Sequence, residues 1–114
     1  MATSQATMDF LLDQLSGLAG VSAKKMFGEY CLYLAGKPVG LVCDDQLYLK
    51  PTGAGGALLR QPVEAPPYPG AKLHWLVTAD LWEDRDWLCR LIVATDGELP
   101  QPRPKAPRRK SRNA

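Results

Sequence analysis

Few side chains in this sequence are of the kinds that do chemistry. His74 is the single histidine, and it stands beside Trp75 in an apolar run. Acid–base or nucleophilic work would need an acid, base or nucleophile within hydrogen-bond reach. A strand histidine bonded to a local partner is the simpler reading. The cysteines at 31, 43 and 89 form no C-x-x-C pair and, with His74, do not match zinc-ligand spacing. A reactive thiol needs an exposed, electropositive setting, whereas all three sit in apolar stretches and read as reduced packing residues. Gly53-Ala54-Gly55-Gly56 lacks the frame of a phosphate loop and reads as a flexible connection. Asp44-Asp45 makes a turn, and Glu83, Asp84 and Asp86 favour a helix start, so neither acidic group forms a hydrolytic pair. The expectation is a protein that is not an enzyme, with no catalytic residue, no cofactor and no metal.

Charge is the next candidate. The formal net charge of +2 conceals two opposite parts. The stretch from Pro100 to Ala114 holds Arg103, Lys105, Arg108, Arg109, Lys110 and Arg112 and no acid. The rest keeps eight of the fourteen basic residues against all twelve acidic ones, a net of about −4. Six cations without acids could hold phosphate backbones through counterion release. The absence of aromatic residues there argues against base stacking and sequence readout. A solvated tail that promotes solubility is the plainer alternative. Too polar and proline-rich to pack, this segment is read as a disordered basic tail, residues 100–114, following one domain, residues 1–99.

The elements that must position any site centre on Lys25 to Lys50. Three apolar, β-rich runs, Glu29 to Leu34, Lys37 to Cys43 and Gln46 to Lys50, are separated by Ala35-Gly36 and Asp44-Asp45. Gly tolerates positive φ and Asp tolerates the left-handed region, so both breaks suit two-residue hairpin loops. Leu34 then faces Lys37 and Cys43 faces Gln46. Uniform alternation puts Tyr30, Leu32, Leu34, Val39, Leu41, Cys43 and Tyr48 on one face. Cys31, Tyr33, Val42, Leu47 and Leu49 take the other, with Pro38 and Gly40. Cys31 and Cys43 would point to opposite faces and could not bridge. Both faces are apolar, so helices on both sides, the middle segment or a partner must cover the second one.

The same stretch carries a family resemblance. Met26-Phe27-Gly28-Glu29-Tyr30, then Leu32-Tyr33-Leu34-Ala35-Gly36-Lys37, then Leu41-Val42 and Gln46-Leu47-Tyr48-Leu49-Lys50 resemble the signature of the TfoX/Sxy N-terminal domain. The likeness spans roughly Phe10 to Leu99. It implies a regulatory, non-enzymatic domain. TfoX/Sxy proteins are associated with natural competence, acting with the cyclic-AMP receptor protein on DNA-uptake genes. Full-length members carry a second, C-terminal domain where a short basic tail follows Leu99. The expectation is therefore a protein-interaction or transcription-associated module.

Around that centre, Ser4 or Thr7 can cap a helix from about Met8 to Leu18, with Phe10, Leu11, Leu15 and Leu18 at helical spacing. Val21 to Phe27 reads as a first strand. A short helix at about 55–61 is weakened by its glycines, each of which costs about 1 kcal/mol relative to Ala. Pro62 to Gly70 is a loop, and Ala71 to Thr78 a returning strand. Asp84 caps a helix from about Arg85 to Asp96, with Leu88, Leu91, Ile92 and Thr95 as its stripe and Gly97 as its stop. The fold class is α+β: an antiparallel sheet of about five strands packed against an N-terminal and a C-terminal helix. No apolar run approaches a bilayer span and no secretory signal is present, so a cytoplasmic protein is expected.

The sharpest motif for binding is Met26-Phe27-Gly28-x-Tyr30. Structurally, Phe27 and Tyr30 pack while Gly28 permits the bend. As a site, Met26, Phe27, Tyr30 and Tyr48 would border an exposed groove for a protein partner or a second copy. Trp82 covers a core edge or joins an interface. Nucleic-acid binding through the tail and a small-ligand cleft near Tyr30, Tyr48 or His74 are the rival readings.

Overall fold

The two turn signals fold the centre of the chain as expected. In the computed structural model, which describes residues 3–26 and 28–99, Ala35 and Gly36 both take positive φ (52° and 82°), as do Asp44 and Asp45 (52° and 61°). Positive φ at both central residues is what a type I′ hairpin turn requires, and its twist matches that of the flanking strands. These turns join β2 (Glu29–Leu34) to β3 (Lys37–Cys43) and β3 to β4 (Gln46–Leu49), with β1 (Val21–Met26) antiparallel to β2. Leu34 faces Lys37 and Cys43 faces Gln46.

The sheet has six strands in the order β1-β2-β3-β4-β6-β5, all pairs antiparallel. β6 (His74–Val77) is the expected returning strand, and β5 (Val63–Ala65) is the addition. It lies in the proline-rich stretch expected to be loop. Pro62 and Pro66 flank three residues that pair on one side only, and an outer strand is where proline is tolerated and where it blunts an edge.

One irregularity reverses the faces read by simple alternation. Tyr33 pairs with Pro38 but Leu32 pairs with Gly40, which leaves Val39 as the extra residue of a β-bulge. Side chains alternate with period two, so one inserted residue swaps the face of every later position relative to β2. Leu32 therefore shares its face with Val42, Leu47 and Leu49, not with Leu41, Cys43 and Tyr48. Cys31 and Cys43 fall on the same face, not on opposite ones, and both are free thiols.

The helices cover the Leu32 face. α1 (Gln5–Gln14) and α3 (Arg85–Glu98) bury Met8, Leu11, Leu88, Leu91 and Ile92 against Leu32, Val39, Val42, Leu47, Leu49 and Val77. Each fully buried Leu or Ile contributes about 2 kcal/mol by removal from water. α1 starts at the Ser4 cap, earlier than expected, and ends before Leu18. Its buried positions are Met8, Leu11 and Gln14. Phe10, read as part of the buried stripe, is 39% exposed and stacks on Trp82 at 6.3 Å. Trp82 is itself core, donating from Nε1 to the Val77 carbonyl, and Gln14 donates to the Trp82 carbonyl at 2.7 Å.

α3 opens on the predicted Asp84 cap and buries the predicted stripe, but runs through Gly97. Its end is held from elsewhere. Lys37, only 5% exposed, donates from Nζ to the carbonyls of Asp96 (2.9 Å) and Leu99 (3.0 Å) and pairs with the Asp96 carboxylate at 3.3 Å. A cation at a helix C-terminus meets carbonyls that have no intrahelical donor.

α2 (Gly53–Leu59) forms despite its glycines, on the Thr52 cap. A Cβ on Gly55 would lie 2.8 Å from Thr52 Oγ1 and 3.2 Å from Thr95 Oγ1, and one on Gly56 would meet the Trp75 ring. The glycines let α2 lie close to α3 and β6. Trp75 completes the contact by donating to the Thr52 carbonyl at 3.0 Å.

Candidate partner-binding site

On the face away from the helices, one row of side chains crosses the whole sheet. The pairings place Lys24 opposite Cys31, Cys31 opposite Leu41, Leu41 opposite Tyr48, Tyr48 opposite Leu76 and Leu76 opposite Val63. Most of this row is apolar, and the helices among the described residues pack on the opposite face. The loop between β5 and β6 covers part of it: Pro67 is buried, and Tyr68 reaches residues of β2 and β3. Coverage stops short of the strand ends. There a pocket of about 540 Å³ opens, lined by Met26, Glu29, Tyr30, Leu41, Cys43 and Tyr68. Met26 (43% exposed) and Tyr68 (57% exposed) form its outer lip.

The charged member of this lining is held rigidly. The Thr3 amide (2.9 Å) and hydroxyl (2.6 Å) both donate to Glu29 Oε1, and the Asp44 amide reaches the same carboxylate at 3.2 and 3.3 Å. The Asp45 carboxylate accepts from the Ser4 amide (2.9 Å) and the Thr7 hydroxyl (2.8 Å). These bonds hold the Asp45 carboxyl below its usual range. The segment before α1 is thus strapped across the β3–β4 turn. Among the described residues, Glu29 Oε2 receives the longer Asp44 contact.

Burial, with the Glu29 charge adding to it, pushes the Cys43 thiol up to about 11, which favours its protonated form at neutral pH. Burial also raises the Tyr48 hydroxyl. His74 Nδ1 lies 2.9 Å from the Lys72 carbonyl, a local contact within the strand approach. Among the described residues no three His, Cys, Asp or Glu side chains gather as a metal site, and no helix is long and apolar enough to cross a membrane. The arrangement offers an apolar floor, the Tyr68 ring at its lip and one fixed carboxylate.

Of the residues singled out in the sequence, Met26 and Tyr30 come together in the pocket. The Tyr30 hydroxyl donates to Gln5 Oε1 at 3.2 Å, and its side chain packs toward the core on the helix face, so Tyr30 borders the pocket only at its edge. Tyr48 is buried beside Leu41 and does not line the opening. Phe27 lies outside the described residues, as do Arg103, Lys105, Arg108, Arg109, Lys110 and Arg112 of the tail. Sequence reasoning passed over Glu29, Leu41, Cys43 and Tyr68 as pocket residues. Glu29 had a signal, being the charged residue inside the Met26–Tyr30 element. Tyr68 had none, since a proline-rich loop carries no periodicity.

The model of the TfoX N-terminal domain family matches residues 13–95. A protein of Spirochaeta aurantia, described as an uncharacterized 12.7 kDa protein in the trpE 5′ region, is 39% identical over 114 residues. The match covers 100% of this chain and 98% of that relative.

Proposed function

The chain belongs to the TfoX N-terminal domain family, and we propose that it is a non-enzymatic regulatory module that binds another protein on the sheet face its helices leave open. One observation carries this reading: two residues of the signature element, Met26 and Glu29, line an open apolar pocket on the face away from the helices. Exposed apolar surface gathered around a fixed polar group is characteristic of interaction sites. The protonated Cys43 thiol supports the non-enzymatic part. Family membership supports a transcription-associated setting for the partner.

The test is a benzophenone crosslinker placed at Tyr68, with one at Val93 on the exposed side of α3 as control. A discrete partner should crosslink at residue 68, be absent at residue 93, and be lost when Met26→Lys is added. Met26 is exposed, so this substitution leaves the fold intact. Equal products at both positions, or indifference to Met26→Lys, would refute the reading.

The segregation of charge favours a second reading, nucleic-acid binding through the basic tail. Anisotropy with duplex DNA should then give a log–log salt slope no steeper than about −5, as six phosphate contacts allow. A chain ending at Leu99 should lose the binding. Failure of both forms to bind at low salt removes this reading.

A further inference from the structure

We propose that the outer edge of β1 is a docking strand, which takes an extended acidic segment of another protein as an added antiparallel strand. The site is separate from the pocket and does not depend on it. The two ends of the sheet differ. β5 is three residues long and stands between Pro62 and Pro66, so it offers little template for pairing. β1 has six residues, VSAKKM, with no proline and an unbroken register against β2. It stands last in the strand order, and no other strand of the described residues pairs with its outer side.

The ladder fixes which groups this edge presents. The Ala35 amide donates to the Gly20 carbonyl at 2.8 Å, one position before β1, so Gly20 and Ala35 form a hydrogen-bonded pair. Bonded and non-bonded pairs alternate along an antiparallel ladder. Ser22, Lys24 and Met26 therefore bond to Tyr33, Cys31 and Glu29. The amides and carbonyls of Val21, Ala23 and Lys25 point the other way, out of the sheet edge. Spaced two residues apart, they match the bonding groups of an incoming strand.

Charge selects the occupant. Lys24 and Lys25 are both exposed, and β1 holds no acid. Their side chains lie on opposite faces, Lys24 over the Tyr33 ring at 5.6 Å and Lys25 on the Tyr30 side. Lysine commonly guards an edge, because extending the sheet past it leaves an unpaired charge in the seam. An acidic residue on the incoming strand removes that penalty, since opposite charges attract across strands. Two adjacent acids meet both lysines, one on each face. A second copy of β1 would instead bring four lysines and no acid into one seam. A second copy's β5 carries Glu64, but on three residues bounded by prolines. The partner that fits is an acidic pair followed by alternating apolar residues, which lie beside the half-buried Val21 and Ala23.

The probe is the end-blocked peptide Thr-Val-Glu-Glu-Val-Thr-Val, added to the full chain while amide exchange is read residue by residue. In the free protein the Val21, Ala23 and Lys25 amides should exchange fast, and those of Ser22 and Lys24 slowly. With peptide at about ten times its Kd, the first three should slow about tenfold, whereas charge attraction without strand pairing leaves them unchanged. A peptide with lysines in place of the glutamates should bind at least about tenfold more weakly. In the Lys24→Glu/Lys25→Glu variant, altered only at exposed side chains, the preference between the two peptides should reverse. Failure of about 1 mM acidic peptide to slow these amides would overturn the inference. So would equal binding of the two peptides. Slow exchange at Val21, Ala23 and Lys25 in the free protein would overturn it too, by showing the edge already occupied. The occupant is then a second copy if dilution speeds the exchange, and the chain itself if it does not.

Discussion

Replacing Lys37 with methionine tests the claim that the Gly36-Lys37 part of the family signature is a clamp on the last helix. The side chain is 7% exposed, and its ammonium reaches the carbonyls of Asp96 and Leu99 at 2.9 and 3.0 Å and the Asp96 carboxylate at 3.3 Å. Methionine keeps most of the volume, so the loss is electrostatic. Hydrogen bonds to a charged group contribute about 1.5–3 kcal/mol each, but burying the ammonium costs several kcal/mol in return. Breaking a buried pair by removing one partner costs about 3–5 kcal/mol. The Asp96 side chain keeps 26% of its exposure and can be rehydrated, which sets the expected loss near the lower end, at about 3 kcal/mol. Urea unfolding of the full chain measures it, and the thermal midpoint should drop by more than about 10 °C. Amide exchange in the last turn of α3 should accelerate beyond the global loss. Asp96→Asn, which leaves both carbonyl contacts in place, should cost about 1 kcal/mol or less. A Lys37→Met protein within about 0.5 kcal/mol of the parent would refute the clamp.

Three further outcomes follow from the packing and the strap. Gly40→Ala should destabilise by about 3 kcal/mol or more, because its Cβ would lie 2.5 Å from the Tyr48 carbonyl oxygen, which is backbone and cannot swing aside; equilibrium unfolding reads this directly. The Cys43 thiol ionises near the ordinary cysteine value of 9.0 when unfolded and at about 11 when folded. Its contribution is therefore intact below pH 9 and lost as pH rises toward 11. Urea midpoints measured across that range should fall, and less steeply in Cys43→Ala; parallel curves for the two proteins would contradict the burial argument. Thr3→Val removes the hydroxyl that bonds Glu29 at 2.6 Å. It should cost about 1 kcal/mol and raise amide exchange at Asp45, whose N–H points to that hydroxyl.

How much could be read beforehand depends on whether a feature is local. Ala35-Gly36 and Asp44-Asp45 fold into positive-φ turns because Gly36, Asp44 and Asp45 tolerate that region, with Ala35 carried into it by the turn, so the hairpins and their end pairings were legible. Asp84 capping α3 was legible for the same reason, since its carboxylate bonds an amide three residues on. The glycines of α2 were read as a weakness, because the sequence shows their propensity and conceals the Trp75 ring and Thr95 hydroxyl that need the space. The end of α3 was read at Gly97 because the stabilising cation comes from Lys37, remote in sequence.

The candidate site divides along the same line. By itself the sequence determined that a β-meander would form, that helices would flank it, and that Met26 and Tyr30 would stand at one turn. Those follow from periodicity, turn chemistry and capping, which act over a few residues. The tertiary structure alone decided which side chains share the open face and what closes around them. The Val39 bulge moved Leu41 and Cys43 to the face away from the helices, and the β5–β6 loop brought Tyr68 over them. A single extra residue defeats counting by twos, and a proline-rich loop is placed by what it packs on, not by a pattern of its own.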